Sequence, residues 1–224
     1  MIAGIPYDAE IEYLEQESTY QYISTGIVPP SGCILKCVFQ FTDLSQTNAL
    51  NILGTGYNAF GFGISGGAFQ VCSADYYAVQ NNVDNGWHEW FVNDTTQQGG
   101  FDNISVRMIL RHNPLPDEWK ASGGFPLFRR VRSTNKGYDL PVSKGRCKSI
   151  YLGIPGTALF DGIAVRVGQV GYMYDRVTRK LFGNAGTGAF VLGPDVATPV
   201  MGLRRYPQLR LGKMGARHMI YGGN

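Results

Sequence analysis

VGYMYDRVTRKLFGNAGTGAFVLGP, residues 170–194, reads as two apolar-aromatic runs, each closed by a glycine-rich turn, and so as consecutive strands of an antiparallel sheet. Tyr172, Tyr174, Leu181, Phe182, Phe190 and Leu192 supply bulk, while Gly183, Gly186 and Gly188 are expected where the chain reverses through positive φ. The charged cluster between the runs, Asp175 with Arg176, Arg179 and Lys180, reads as a solvated hairpin tip. No reactive group stands in the segment, so it speaks for a β-sandwich scaffold and leaves function to the rest of the chain.

Working outward, the same pattern recurs. A run through Tyr20, Tyr22, Ile23 and Ile27 ends at Pro29-Pro30-Ser31-Gly32, which cannot continue a strand. Residues 34–42 follow as another strand, and residues 50–71 thread Ile52, Leu53, Phe60, Phe62, Ile64, Phe69 and Val71 through six glycines, the spacing of short hairpins. GWHEWFV (86–92) places Trp87, Glu89 and Phe91 on one face and His88, Trp90 and Val92 on the other, a strand with bulk on both sides. Residues 104–110, 125–131, 149–154 and 159–167 complete the strands, and residues 112–125, with Pro114, Pro116 and Trp119, form a long excursion of the kind that often carries function. The 224 residues suit one all-β domain, and 30 glycines with 12% aromatic against 17% charged residues fit many turns and short aromatic strands. The expected division is an acidic segment at 1–11, a sandwich at 12–196 and a basic tail at 197–224.

Charge is uneven behind the net +3. Residues 1–17 hold Asp8, Glu10, Glu12, Glu15 and Glu17 without a base, and residues 196–224 hold Arg204, Arg205, Arg210, Lys213 and Arg217 without an acid. Such a tail can meet nucleic acid or an anionic membrane. Its Leu203, Leu209, Leu211, Met219 and Ile220 favour docking on an acidic surface instead, which makes the five basic residues assembly candidates and leaves nucleic acid and membrane outside the expected partners. Neither a signal peptide nor an apolar run long enough to span a bilayer is seen in these residues.

The chemistry-bearing residues are sparse. Cys33, Cys37, Cys72 and Cys147 make no close-set zinc or disulfide pattern and read as buried reduced thiols, with a bridge from Cys33 or Cys37 to Cys72 or Cys147 left open. Gly54-Thr55-Gly56 and Gly61-Phe62-Gly63 lack the lysine-serine pair and helix of a phosphate loop. His88, His112 and His218 are scattered, and no nucleophile elbow or paired-histidine metal motif occurs. Asp75, Asn82 and Asp84 could offer oxygens to calcium, but solvated loop residues explain them better, and neither metal nor cofactor is expected. For sugar, the candidates are exposed aromatics ringed by amides and carboxylates: Tyr76 and Tyr77 with Asn82 and Asp84, and Trp119 with Asp117 and Glu118, all placed in predicted loops.

With those residues on the page, the span from about 12 to 196 resembles the concanavalin A-like, laminin-G-like jelly-roll family of gut-bacterial and phage proteins. IEYLEQESTYQYISTGIVP (11–29) resembles its entry strand, in which a "YI-TGI-P" phrase leads into the first long strand; Gly86-Trp87-His88 resembles its "G-WH" strand; and residues 165–196 resemble its closing hairpin, with "YD-V" at Tyr174, Asp175 and Val177 and "NAGTG-F--GP" from Asn184 to Pro194. The resemblance implies an all-β, two-layer antiparallel jelly-roll β-sandwich of the lectin and glucanase architecture, with extended terminal segments. Glycosidases on this scaffold usually set carboxylates closely along one strand, a Glu-x-Asp-x-x-Glu pattern that the chain lacks, so no enzyme is expected. Without a visible export route, the expectation is a non-enzymatic phage virion module, of capsid, head-fibre or tail, located in the virion and joined to other virion proteins or identical subunits through its termini, with glycan adhesion as a further role. The alternative is a bacterial carbohydrate-binding module at the cell surface or in the cytoplasm.

Overall fold

The computed structural model describes residues 5–18, 20–44, 50–51, 53–55, 61–65, 68–73, 76–80, 83–110, 125–131 and 144–197. Among them the strands in the first half of the chain are β1 (Ala9–Glu10), β2 (Leu14–Gln16), β3 (Ile23–Ser24), β4 (Ile34–Phe41), β5 (Leu50–Asn51), β6 (Leu53–Thr55), β7 (Gly61–Ser65), β8 (Ala68–Ser73), β9 (Tyr76–Gln80) and β10 (Trp87–Asn93). The second half adds β11 (Gln98–Phe101), β12 (Ile104–Arg107), β13 (Ile109–Leu110), β14 (Pro126–Leu127), β15 (Arg129–Val131), β16 (Gly145–Ile154), β17 (Thr157–Val167), β18 (Val170–Asp175), β19 (Lys180–Phe182) and β20 (Val191–Leu192). The fold is an all-β jelly-roll sandwich. One layer is an eleven-stranded sheet with the path β12-β11-β10-β4-β16-β17-β18-β19, the other a five-stranded sheet ordered β13-β9-β8-β7-β5. Two short pairs accompany them, antiparallel β14 with β3 and parallel β15 with β6.

Strict alternation builds the large sheet. In β4, Leu35, Cys37, Phe39 and Phe41 are buried while Lys36 is exposed, and in β10, Trp90 and Val92 are buried while Glu89 is exposed. Period-two burial of this kind gives each strand an inner and an outer face. On the inner face Trp90 is fully buried; its indole Nε1 donates to the Phe39 carbonyl at 2.9 Å, and its ring lies 4.8 Å from Phe69, 4.9 Å from Phe101, 5.3 Å from Phe41 and 5.7 Å from Phe62. Phe62 and Phe69 belong to the smaller sheet, so these rings are what joins the two layers.

The large sheet branches at β16. One edge of β16 pairs with β4 along its length; the other pairs with β2 at Gly145–Cys147 in register with Leu14–Gln16, then with β17 from Ser149 onward. β1 meanwhile pairs with β17 at Arg166 and Val165, and β2 pairs on its far side with β20. Beyond that pair the chain ends run on together: Gly193 N–H donates to the Tyr13 carbonyl, Glu12 N–H to that of Pro194, and Val196 N–H to that of Glu10.

The closing segment departs from its sequence reading in three ways. β18 and β19 form the expected hairpin, but the second run then leaves it, since β20 pairs with β2 and not with β19. Asp175 is no solvated tip residue: it is fully buried and its carboxylate accepts from Asp161 N–H, Val177 N–H, Thr178 N–H and the Thr178 hydroxyl. Of the three glycines only Gly188 has positive φ, at 82°. Gly186 is required for a different reason, because a Cβ there would collide with the Tyr20 carbonyl. The loop is drawn against residues 20–22 by Asn184, whose Oδ1 accepts from Tyr22 N–H and Gly186 N–H.

Candidate outer-face groove

The sheet order β10-β4-β16-β17 assembles a mixed polar and aromatic surface on the outer face, read as three cross-strand rows. Phe91 stands opposite Lys36, Lys36 opposite Tyr151 and Tyr151 opposite Asp161. The middle row runs Glu89, Val38, Ser149, Ile163 and Tyr174. The third runs Trp87, Gln40, Arg146 and Glu15. A groove of about 530 Å³ lies over the first two rows, with walls including Lys36, Val38, Glu89, Ser149, Tyr151, Asp161 and Arg176, and with the Ile154-Pro155-Gly156 turn at one end.

Two features shape its floor. A Cβ on Gly153 would stand 2.5 Å from the Tyr151 hydroxyl oxygen and 2.6 Å from the Thr157 carbonyl, so glycine there lets the Tyr151 ring lie along its own strand. Arg176 grips Asp161 with two bonds, Nη2 to Oδ1 at 2.7 Å and Nε to Oδ2 at 3.0 Å, and hydrogen bonding to Asp161 pushes the guanidinium's pKa upward. Lys36 and Glu89 carry no ion pair among the described residues. Beyond Tyr174, Tyr7 packs edge-on at 5.0 Å and donates its hydroxyl to Glu10; burial first, then that bond, pushes its pKa up to about 12.

The groove's carboxylates do not make an acid-base pair. Glu89 and Asp161 lie on strands separated by three inter-strand steps, roughly 14 Å between backbones, and the Asp161 carboxylate is held by Arg176, whereas glycoside hydrolysis requires two carboxyl groups roughly 5–9.5 Å apart. Among the described residues no group of three or more His, Cys, Asp or Glu side chains is placed to hold a metal ion.

His88, at the inner edge of β10, has both ring nitrogens engaged: Nδ1 lies 2.7 Å from Asp102 Oδ2 and Nε2 lies 3.0 Å from Asp84 Oδ1. The Gly86 N–H and then His88 hold the Asp84 carboxyl below its ordinary range. At Asp102 burial pushes upward, but hydrogen bonds from His88 and the Glu89 N–H outweigh it and lower the pKa. This clamp occupies the sequence candidate Asp84 and engages both His88 ring nitrogens. Cys33, Cys37 and Cys147 are free and buried, with 3.7 Å between the Cys37 and Cys147 sulfurs, and burial pushes the Cys33 and Cys37 thiols up.

The other candidates are scattered. Tyr76 and Tyr77 are consecutive residues of β9, paired on one side with Ser73 and Cys72 and on the other with Leu110 and Ile109, so they sit in a central strand where the sequence suggests a loop. Asn82, Asp75 and Trp119 with Asp117 and Glu118 lie outside the described residues, as do Arg204, Arg205, Arg210, Lys213 and Arg217. Sequence reasoning looked for sugar contacts in loops, and Lys36, Tyr151, Asp161 and Arg176, which the sheet brings to one groove, were not among its candidates. The signal within reach was the outward bulk in strands already buried on their other side, as at Trp87 and Phe91.

No protein-family model matches the chain, and no curated protein matches it. Among solved structures it is similar to a "putative carbohydrate binding protein" from Bacteroides ovatus, at 12% identity and a TM-score of 0.49, over 84% of this chain and 61% of that one. The chain thus spans about three-fifths of that protein's length. The expectation of a phage virion function and a virion location is corrected by this finding, in which the similar structure is bacterial and described as carbohydrate binding; virion partners gain no support from it. No helix among the described residues is long and apolar enough to cross a membrane.

Proposed function

We propose that the chain binds carbohydrate, without transforming it, in the groove on the outer face of the eleven-stranded sheet. The observation that carries this reading is the row Lys36, Tyr151, Asp161, in which one aromatic ring lies along the sheet between a free ammonium and a carboxylate already fixed by Arg176. A sugar ring offers apolar C–H faces to stack on an aromatic side chain and hydroxyls that donate and accept at its edge. Tyr151 supplies the first need, and Lys36, Glu89, Ser149 and the Asp161–Arg176 pair supply donors and acceptors for the second. The groove's volume falls within the range of small-ligand sites. The wide carboxylate spacing is the reason for binding without hydrolysis.

Affinity electrophoresis of the full chain through gels containing a panel of plant, algal and mucin-type polysaccharides tests the reading. At least one polymer should retard the protein, and Tyr151→Ala should weaken that retardation about tenfold while the thermal midpoint stays close to that of the unmodified chain. No retardation by any polymer overturns the proposal, and so does retardation that Tyr151→Ala leaves intact.

A further inference from the structure

We infer that the third outer-face row, around Arg146 and Lys148, is a subsite for an anionic group, carboxylate or sulfate, carried on the bound sugar chain; this rests on the carbohydrate reading above. The rings at this end are not bare. Lys148 Nζ sits 4.3 Å above the centre of the Trp87 ring, and the Arg146 guanidinium sits 4.7 Å above the centre of Tyr13, with the two rings 5.9 Å apart. A ring face covered by a cation stacks poorly on sugar, but it holds that cation in place with its N–H groups available to a ligand.

The covalent chain is arranged for this. The β4 ladder shifts register between Cys147 and Ser149, and that irregularity leaves Lys148 over Trp87 while its neighbour Ser149 lines the groove. Arg146 is partly spent: its Nε donates to Glu15 at 2.9 Å and its Nη1 to Gln40 at 3.5 Å, which leaves Nη2. Lys148 has no carboxylate within ion-pair distance among the described residues. Two cations thus face one carboxylate, and the surplus positive charge lies where aromatic rings already exclude water from one side. The Lys36–Tyr151 row and the Trp87 row are four residues apart along β10, roughly 14 Å, so a ligand reaching from Tyr151 to this subsite is longer than one sugar ring.

The experiment measures the full chain by calorimetry against polygalacturonate, dextran sulfate and neutral laminarin, at about 0.05 M and about 0.5 M salt. The expected result is that one acidic polymer binds about tenfold more tightly than laminarin at low salt and loses that advantage at high salt. Lys148→Ala should remove the advantage and Lys148→Arg keep it, with both variants retaining the thermal midpoint. Whichever acidic polymer binds identifies the anion as carboxylate or sulfate. The subsite is overturned if laminarin matches both acidic polymers, or if Lys148→Ala preserves the acidic preference. If neither these polymers nor the wider panel binds, the carbohydrate reading itself fails.

Discussion

Trp90 and Trp87 sit three residues apart on one strand and live in different worlds. Trp90 is fully buried, bonded to the Phe39 carbonyl and ringed by Phe41, Phe62, Phe69 and Phe101. Trp87 is half-buried on the opposite face, with an ammonium above it and Tyr13 beside it. The same residue type is structural mortar on one side and a platform for a cation on the other. Aromatic content therefore says little about function until the strand's parity assigns each ring to a face.

The widest gap between the faces should come from Trp90→Ala, which opens a cavity between the two layers and should cost about 4 kcal/mol in denaturant unfolding, against under about 1 kcal/mol for Trp87→Ala. Equal costs would erase the distinction between mortar and surface. Next, Asp175→Ala should cost about 3 kcal/mol, since it removes the buried carboxylate that three backbone N–H groups and the Thr178 hydroxyl share; a neutral result would return Asp175 to the role of a solvated tip. On the outer face Gly153→Ala should weaken polysaccharide retardation several-fold and cost about 2 kcal/mol of stability, because its Cβ meets both the Tyr151 ring and the Thr157 carbonyl.

The smallest effect lies at the His88 clamp. Both Asp84 and Asp102 have folded-state pKa values below their ordinary ones, so their contribution to stability is complete above the unfolded value, about pH 4, and is lost as pH falls through the folded values. Acid titration of Asp102→Asn should show a shallower loss below about pH 4 than the unmodified chain. Identical acid limbs would mean the clamp contributes nothing.

Much of the architecture was legible. Alternation in β4 and β10 assigns faces correctly, and the tyrosine-aspartate turn of the closing segment does form a hairpin. The exit of β20 from that hairpin was not legible, since it depends on Asn184 and Gly186 meeting residues 20–22, more than 160 positions away. The groove was hidden for the same kind of reason. Its row from Phe91 through Lys36 and Tyr151 to Asp161 exists only because the strand carrying residue 36 lies between those carrying residues 91 and 151. Local patterning shows that a side chain faces outward; it does not show which distant side chains face outward beside it.

The seam between β2 and β20 has a mechanical corollary. Residues 10–13 and 193–196 are bonded rung by rung with the chain ends leaving from the same end of the ladder. A load drawn through those ends would part the rungs singly, as a zipper opens, instead of shearing them all at once. The same pull would also reach the large sheet directly, since Ala9 and Glu10 are paired with Arg166 and Val165 of β17.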